Sequence, residues 1–202
     1  MNLERICKAF CLFVVTSLFI LSATAAAQQF DAAFGVGTIT APTGFNAFGD
    51  PVPVSLTGGA YPVFSADVLL KGPLGVGGEI SWKGSRGLYA GFQPYRPLFY
   101  DLNGVFAPRL KNIGAEVQAG IGWESLRFYQ PFFQCGFAGC TNFVSSNHFM
   151  GHFGGGIRLY AHGNFFIRPE AHVYLIRNNN EFSSPFATRY GISIGYTFAP
   201  GF

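Results

Sequence analysis

A chain of 202 residues with 11% charged residues and a formal net charge of +3 lacks the basic surface an electrostatic nucleic-acid binder needs. With 27 glycines, 24 phenylalanines and few Lys or Glu, and no later apolar run long enough for a membrane helix, it reads as β-structure in one domain.

The chain opens with a charged start (Arg5, Lys8), then the apolar run Phe10 to Leu21, then Ser22-Ala-Thr-Ala-Ala-Ala27. Those three parts are the pattern of a secretory signal peptide over residues 1–27, with Ala25-Ala26-Ala27 as the small-residue cleavage site. The run is too short to span a bilayer, which takes about 20 residues. Cys7 and Cys11 fall inside the signal, and Lys8-Ala-Phe10 before Cys11 does not suit lipidation. Taking Arg5, Lys8 and Glu4 from the 13 basic and 10 acidic residues leaves 11 against 9 in the domain 28–202.

From residue 30 the chain alternates with period 2 in eight segments, each a strand with two unlike faces. In the first, Phe30, Ala32, Phe34 and Val36 share one face. A Pro/Gly/Thr-rich stretch, 41–59, leads to the second, 62–70, with Phe64, Ala66, Val68 and Leu70 opposite Asp67. A short turn at 71–73 precedes the third, where Leu74, Val76, Ile80 and Trp82 oppose Glu79, Ser81 and Lys83. Residues 84–94 form a loop before the fourth, where Leu98, Tyr100, Leu102 and Phe106 oppose Asp101, Asn103 and Val105. The turn 108–112 leads to the fifth, with Ile113 through Trp123 opposite Gly114, Glu116, Gln118 and Glu124. A long loop, 128–147, contains Cys135 and Cys140, for which an exported chain predicts a disulfide. In the sixth, Phe149, Phe153, Ile157 and Leu159 oppose His148, Met150, His152, Arg158 and Tyr160. After the turn 161–164, the seventh sets Phe165, Ile167, Pro169 and Val173 against Arg168, Glu170, His172 and Tyr174. Pro169 costs a ladder hydrogen bond there. The loop 177–185 leads to the closing strand, Phe186 to Phe198, with Tyr190, Ile192, Ile194, Tyr196 and Phe198 on one face and Arg189 on the other.

Connections alternate long and short, as in bacterial outer-membrane barrels, whose tight turns and termini lie on the periplasmic side. The expected fold is therefore all-β: an eight-stranded antiparallel up-and-down transmembrane β-barrel, monomeric and set in outer-membrane lipid. A soluble eight-stranded barrel would alternate too. Lipid outside is favoured by aromatics gathered at strand ends (Trp82, Tyr100, Trp123, Tyr196, Phe198) and by a second face of glycines and charges suited to a narrow interior. Asp67, Glu79, Lys83, Asp101, Glu116, Glu124, Arg158, Arg168, Glu170 and Arg189 all project inward by parity. Eight strands leave a lumen that side chains fill, so these charges predict an ion-pair plug. A proton or ion path through the network is the alternative.

Among chemical candidates, His148 and His152 lie about 13 Å apart on a strand, too far to share an ion. His152 and His172 could be cross-strand neighbours, but two ligands do not make a metal site, and interior hydrogen bonding is the simpler role. No cofactor is implied. An outward His-x-Ser, the mark of a lipid-modifying barrel enzyme, does not occur. The aromatic loop 130–143 is either a partner or lipid contact, or a loop held folded by its disulfide.

The signal peptide, the eight segments and the closing strand Tyr190-Gly-Ile-Ser-Ile-Gly-Tyr-Thr-Phe198 together resemble the small outer-membrane β-barrel family of the OmpA/OmpX/Ail type. The resemblance is one of pattern over residues 28–202. It implies that Tyr190, Ile192, Ile194, Tyr196 and Phe198 form the signal read by the barrel-assembly machinery. The chain departs from the family by continuing Ala199-Pro-Gly-Phe202 past that end. The resemblance also implies placement in the bacterial outer membrane and a non-enzymatic role in envelope integrity, adhesion or surface interaction through the long loops and an extracellular ligand. A lipid-modifying enzyme and a narrow pore or transporter are the alternatives.

Overall fold

Period-2 alternation becomes ten β-strands in the structure, a computed structural model that describes residues 29–42, 56–136, 139–179, 181–182 and 184–198. The signal peptide expected over 1–27, most of the loop expected over 41–59 and the four residues after Phe198 lie outside the described residues. The strands are β1 (Gln29–Thr40), β2 (Tyr61–Lys71), β3 (Leu74–Trp82), β4 (Gly87–Tyr89), β5 (Gln93–Phe106), β6 (Arg109–Leu110), β7 (Ile113–Gly136), β8 (Gly139–His162), β9 (Phe165–Ile176) and β10 (Phe186–Phe198). Eight of them close a ring in which every neighbour pair is antiparallel: β1-β2-β3-β5-β7-β8-β9-β10 and back to β1. The short β4 and β6 extend β5 and β7 at opposite ends. The fold is an eight-stranded up-and-down barrel. Closure pairs β1 with β10 without a slip from Phe30↔Phe198 to Thr40↔Thr188.

The tight turns share the end of the barrel where β1 begins and β10 finishes. Gly72 and Gly163 supply positive φ there (57° and 60°), and Lys111 does so at 54°. At positive φ a glycine carries no Cβ penalty.

Alternation places the same faces where parity demands. On β10, Tyr190, Ile192, Ile194 and Phe198 are exposed while Arg189, Ser193 and Thr197 are buried. Phe34, Leu102, Ile121, Phe153 and Ile167 are exposed on other strands. An apolar exterior wrapped around a charged interior inverts the arrangement of a water-soluble protein, and it is the surface that hydrocarbon requires. The band ends in aromatic rows. Tyr100, Trp123 and Phe149 are register neighbours across β5, β7 and β8, with ring centroids 6.0 and 5.8 Å apart. At the turn end Phe165, Tyr196 and Phe198 pack in succession, each pair 4.7 Å apart.

One stretch differs from the sequence expectation. The loop expected over 128–147 is instead strand. β7 and β8 run 24 residues each and stay paired out to Cys135↔Cys140, with a bulge between Tyr129 and Gln134. Thr, Val, Phe and Tyr in this stretch favour extended backbone, and the partner strand supplies the hydrogen bonds that a loop would seek from water. Pro169 interrupts only one of its two ladders. β9 pairs continuously with β10 through Ile192↔Pro169, whereas the β8–β9 register passes from Gly156↔Glu170 to Leu159↔Ile167. Proline has no N–H to offer one of its two neighbours.

Candidate functional site: the lumen and the outer ribbon

Inward parity from eight strands brings a set of charges into one narrow space. Arg158 on β8 is the hub of the lower lumen. Its guanidinium contacts Asp31 on β1, Asp67 on β2 at 2.9 Å and Glu116 on β7 at 2.5 Å. Arg168 on β9 donates to Glu116 at 2.7 and 2.8 Å, to Glu170 at 2.7 Å, and to the hydroxyls of Ser65 and Ser193 at 2.9 and 3.1 Å. Arg189 on β10 pairs with Glu79 at 2.7 Å and Glu170 at 3.1 Å. Five carboxylates thus share three guanidiniums. All three arginines are essentially without solvent exposure. Buried ions persist only when paired and hydrogen-bonded, and the planar guanidinium fork lets one side chain serve several carboxylates.

Above this layer lies a polar relay. His152 Nδ1 is 2.9 Å from Asn103 Oδ1 and 3.4 Å from Asp101 Oδ1, and its Nε2 is 2.9 Å from His172 Nδ1. Asn103 in turn donates to Asp101 at 2.5 Å and Gln118 at 3.1 Å. The two imidazoles are diagonal neighbours, because His172 lies opposite Gly154 and His152 opposite Tyr174. Gly154 makes the room: a Cβ there would fall 2.3 Å from His172 Nδ1. Glu79 completes a Glu-His-His group whose donor atoms lie within 4.8 Å of one another. Most of those donors are engaged elsewhere, although His172 Nε2 has no hydrogen-bond partner among the described residues and lies 3.7 Å from Glu170. Glu79 accepts from Arg189 at 2.9 Å and Tyr174 at 3.2 Å, and the imidazole nitrogens face each other at hydrogen-bond distance. Two donors on one zinc ion would have to stand wider apart, at about 3.3 Å for bonds of roughly 2.0–2.1 Å in tetrahedral array.

Apolar layers close both ends. Towards the turns, Ala33, Tyr160 and Phe166 form one cluster and Leu69, Val105 and Ala107 another. The Arg109 guanidinium lies 3.6 Å over the Tyr160 ring. Towards the loops, Tyr61, Tyr95, Phe99, Leu126, Met150 and Phe182 belong to a larger cluster. Tyr89 caps it, edge-on to Phe128 and Phe182 at 5.4 and 5.6 Å, and its hydroxyl donates to the Glu181 carbonyl at 2.9 Å. Burial, with the Glu181 charge nearby, raises the Tyr89 phenol above its ordinary range. Sequence reasoning did not single out Tyr61, Tyr95 or Leu126. The signal was there: each continues the inward parity of its strand past the outer aromatic row, where the interior changes from charged to apolar.

Each residue read as inward is inside, but not all share the network. Lys83 sits at the outer mouth, its ammonium 5.3 Å over the Tyr95 ring, and burial lowers its pKa. Glu124 is fully buried beside the aromatic cap, and neither carboxylate oxygen has a hydrogen-bond partner among the described residues. Asp101 touches His152 and Asn103 rather than an arginine. Asp31 belongs to the network and was not singled out, although it alternates with Phe30 like every other inward residue.

Beyond the ring stands the ribbon. The last β7 residue with a β5 partner is Phe128, and the first β8 residue with a β9 partner is Met150. At 3.3 Å per residue, the eight residues beyond Phe128 carry β7 roughly 25 Å further. A Cys135–Cys140 disulfide staples the tip. Phe132 and Phe133 are exposed. Lower down, the Arg86 guanidinium lies 3.8 Å over Tyr129 and that of Arg127 5.1 Å over Phe143. The outer wall of β5, β7 and β8 changes row by row away from lipid: Tyr100-Trp123-Phe149, then Leu98-Ser125-Asn147, then Arg96-Arg127-Ser145. Aromatic, then amphipathic, then cationic is the order met in leaving a bilayer.

No family model matches the chain, and no curated protein sequence matches it. Solved structures do. The attachment invasion locus protein Ail of Yersinia pestis, solved with the heparin analogue sucrose octasulfate, superposes with a TM-score of 0.55 over 84% of this chain and 98% of its own, at 13% identity. Neisserial surface protein A gives 0.59 over 85% and 98%, at 6% identity. This chain therefore has the fold of the small outer-membrane β-barrels.

Proposed function

We propose that this chain is a non-enzymatic protein of the bacterial outer membrane, delivered there by its signal peptide and closing strand. On this reading its work is done outside the membrane, by the β7–β8 ribbon and its neighbouring loops, in adhesion or another surface interaction. The observation that carries it is the contrast between a lumen filled along its length and a stapled ribbon held clear of the membrane. A filled lumen does not favour a pore: three buried arginines cross it, and apolar clusters close each end. Nor does the lipid-facing wall favour lipid chemistry, because His148, His152 and His172 all face inward.

The test is whole-cell binding to epithelial surfaces by cells expressing the chain or a variant lacking residues 129–147. Loss of binding on deletion, with the barrel still heat-modifiable on a gel and found in the outer-membrane fraction, is the expected result. Equal binding by both would overturn the reading, as would sustained channel openings in planar bilayers.

A further inference from the structure

The tight-turn end of the barrel carries charge of one sign. Every acid among the described residues except Glu181 points into the lumen, and Glu181 lies at the outer mouth, 3.0 Å from His148. The turn end therefore shows no exposed acid among the described residues. It shows cations instead. Lys71 at the end of β2, and Arg109 and Lys111 in the turn between β5 and β7, are all exposed. None of the three meets a carboxylate among the described residues.

The turns that carry these cations are tied into one surface. The Ala107 N–H donates to the Pro73 carbonyl at 2.7 Å, and the Tyr160 N–H to the Asn112 carbonyl at 2.8 Å. Arg109 is held from below. Its guanidinium lies over Tyr160 and donates to the carbonyls of Lys111 at 3.0 Å and Gly163 at 3.3 Å. Its charge is thereby fixed beside the backbone of Lys111.

What the cations border is apolar. Leu110, between Arg109 and Lys111, is 79% exposed. It pairs with Ile113, and residues opposite each other on a ladder share a face, so both stand on the lipid side. Lys71 pairs with Leu74 in the same way, and Leu74 and Ile113 are both exposed. The aromatic row Phe165, Tyr196 and Phe198 marks headgroup depth at this end of the barrel.

We propose that this rim is a phospholipid-binding surface: Lys71 and Lys111, with Arg109 behind them, hold the phosphate of an anionic phospholipid in the leaflet that meets the turns, while Leu110 enters its acyl layer. Charge complementarity names the headgroup, since basic side chains at a bilayer surface draw anionic lipid. The exposed leucine between two cations names a lipid rather than a wall polymer, which offers carboxylates but no apolar layer. The inference is independent of the ribbon.

The test uses the full chain in nanodiscs of phosphatidylcholine with a minority of phosphatidylglycerol. Native mass spectrometry counts the lipids that stay bound, and amide hydrogen exchange locates them. The wild type should retain phosphatidylglycerol over phosphatidylcholine. Its amides over 71–74 and 109–113 should exchange more slowly in mixed discs than in discs of phosphatidylcholine alone. Lys111→Gly is the sharpest variant. Lys111 has a φ of 54°, where glycine carries no Cβ penalty, so the charge is removed while the turn is kept, with heat-modifiability on a gel as the check. It should lower the preference about fivefold, and Lys71→Gln by a similar factor, the worth of one cation at a membrane surface. Arg127→Gln, at the outer end, should leave the protection of the turns in place, as should deletion of 129–147. No preference in the wild type, an unchanged preference in both Lys111→Gly and Lys71→Gln, or loss of turn protection in Arg127→Gln or in the deletion would each overturn the proposal. So would capture of the wild type, but not of Lys111→Gly, by peptidoglycan sacculi without any lipid preference, since that assigns the rim to the cell wall.

Discussion

Barrel and ribbon are made of the same two strands, yet β7 and β8 meet opposite surroundings along their length. Below Phe128 and Met150 each strand has a partner on both sides, one face in lipid and the other in a sealed interior. Above them each ribbon strand pairs only with the other among the described residues. In the barrel a polar side chain must find its mate inside, so Glu116 touches two arginines at once. In the ribbon, polar groups are satisfied by water, and order comes from the β-ladder and the Cys135–Cys140 staple. The lesson is that alternation alone carries no meaning until the solvent on each face is known.

The comparison can be broken most severely at the hub. Arg158→Leu leaves Asp31, Asp67 and Glu116 buried without their shared cation and should cost about 3–5 kcal/mol, read as a lowered urea midpoint for the chain in phospholipid vesicles. Arg158→Lys should recover only part of this, because one ammonium cannot fork to three carboxylates. Next comes the outer face. Ile194→Arg sets a charge in the lipid band between Tyr190 and Tyr196 and should cost about 2–4 kcal/mol near the midplane, by the same measurement, while Ser145→Arg on the ribbon should cost almost nothing. Smaller still, Tyr174→Phe removes a buried donor to Glu79 and should cost about 1 kcal/mol. The smallest expected effect on the barrel is from the double change Cys135→Ser and Cys140→Ser. It should leave the urea midpoint unchanged while speeding amide exchange of residues 130–145, since the staple closes a loop outside the cooperative core. A matching loss of barrel stability would show that ribbon and barrel unfold together.

Much of the barrel was legible because period 2 is forced by strand geometry. Every inward charge from Asp67 to Arg189 could be placed from parity alone, as could the aromatic rows that bound the lipid band. Less legible were features that depend on a partner strand. Residues 129–147 look like a loop, with Pro131, Gly136 and Gly139 in sequence, and only pairing across Cys135↔Cys140 makes them a ribbon. His152 and His172 could be named as neighbours, but Gly154 decided that they sit diagonally. Glu79 came to that pair from β3, several strands earlier in the chain, which no local spacing announces.

By itself, then, the sequence determined which residues face lipid and which face inward, because a strand offers only two sides. Tertiary structure decided who meets whom across the lumen, because ring closure, through β1 with β10 and β5 with β7, sets the height of every inward charge against its neighbours.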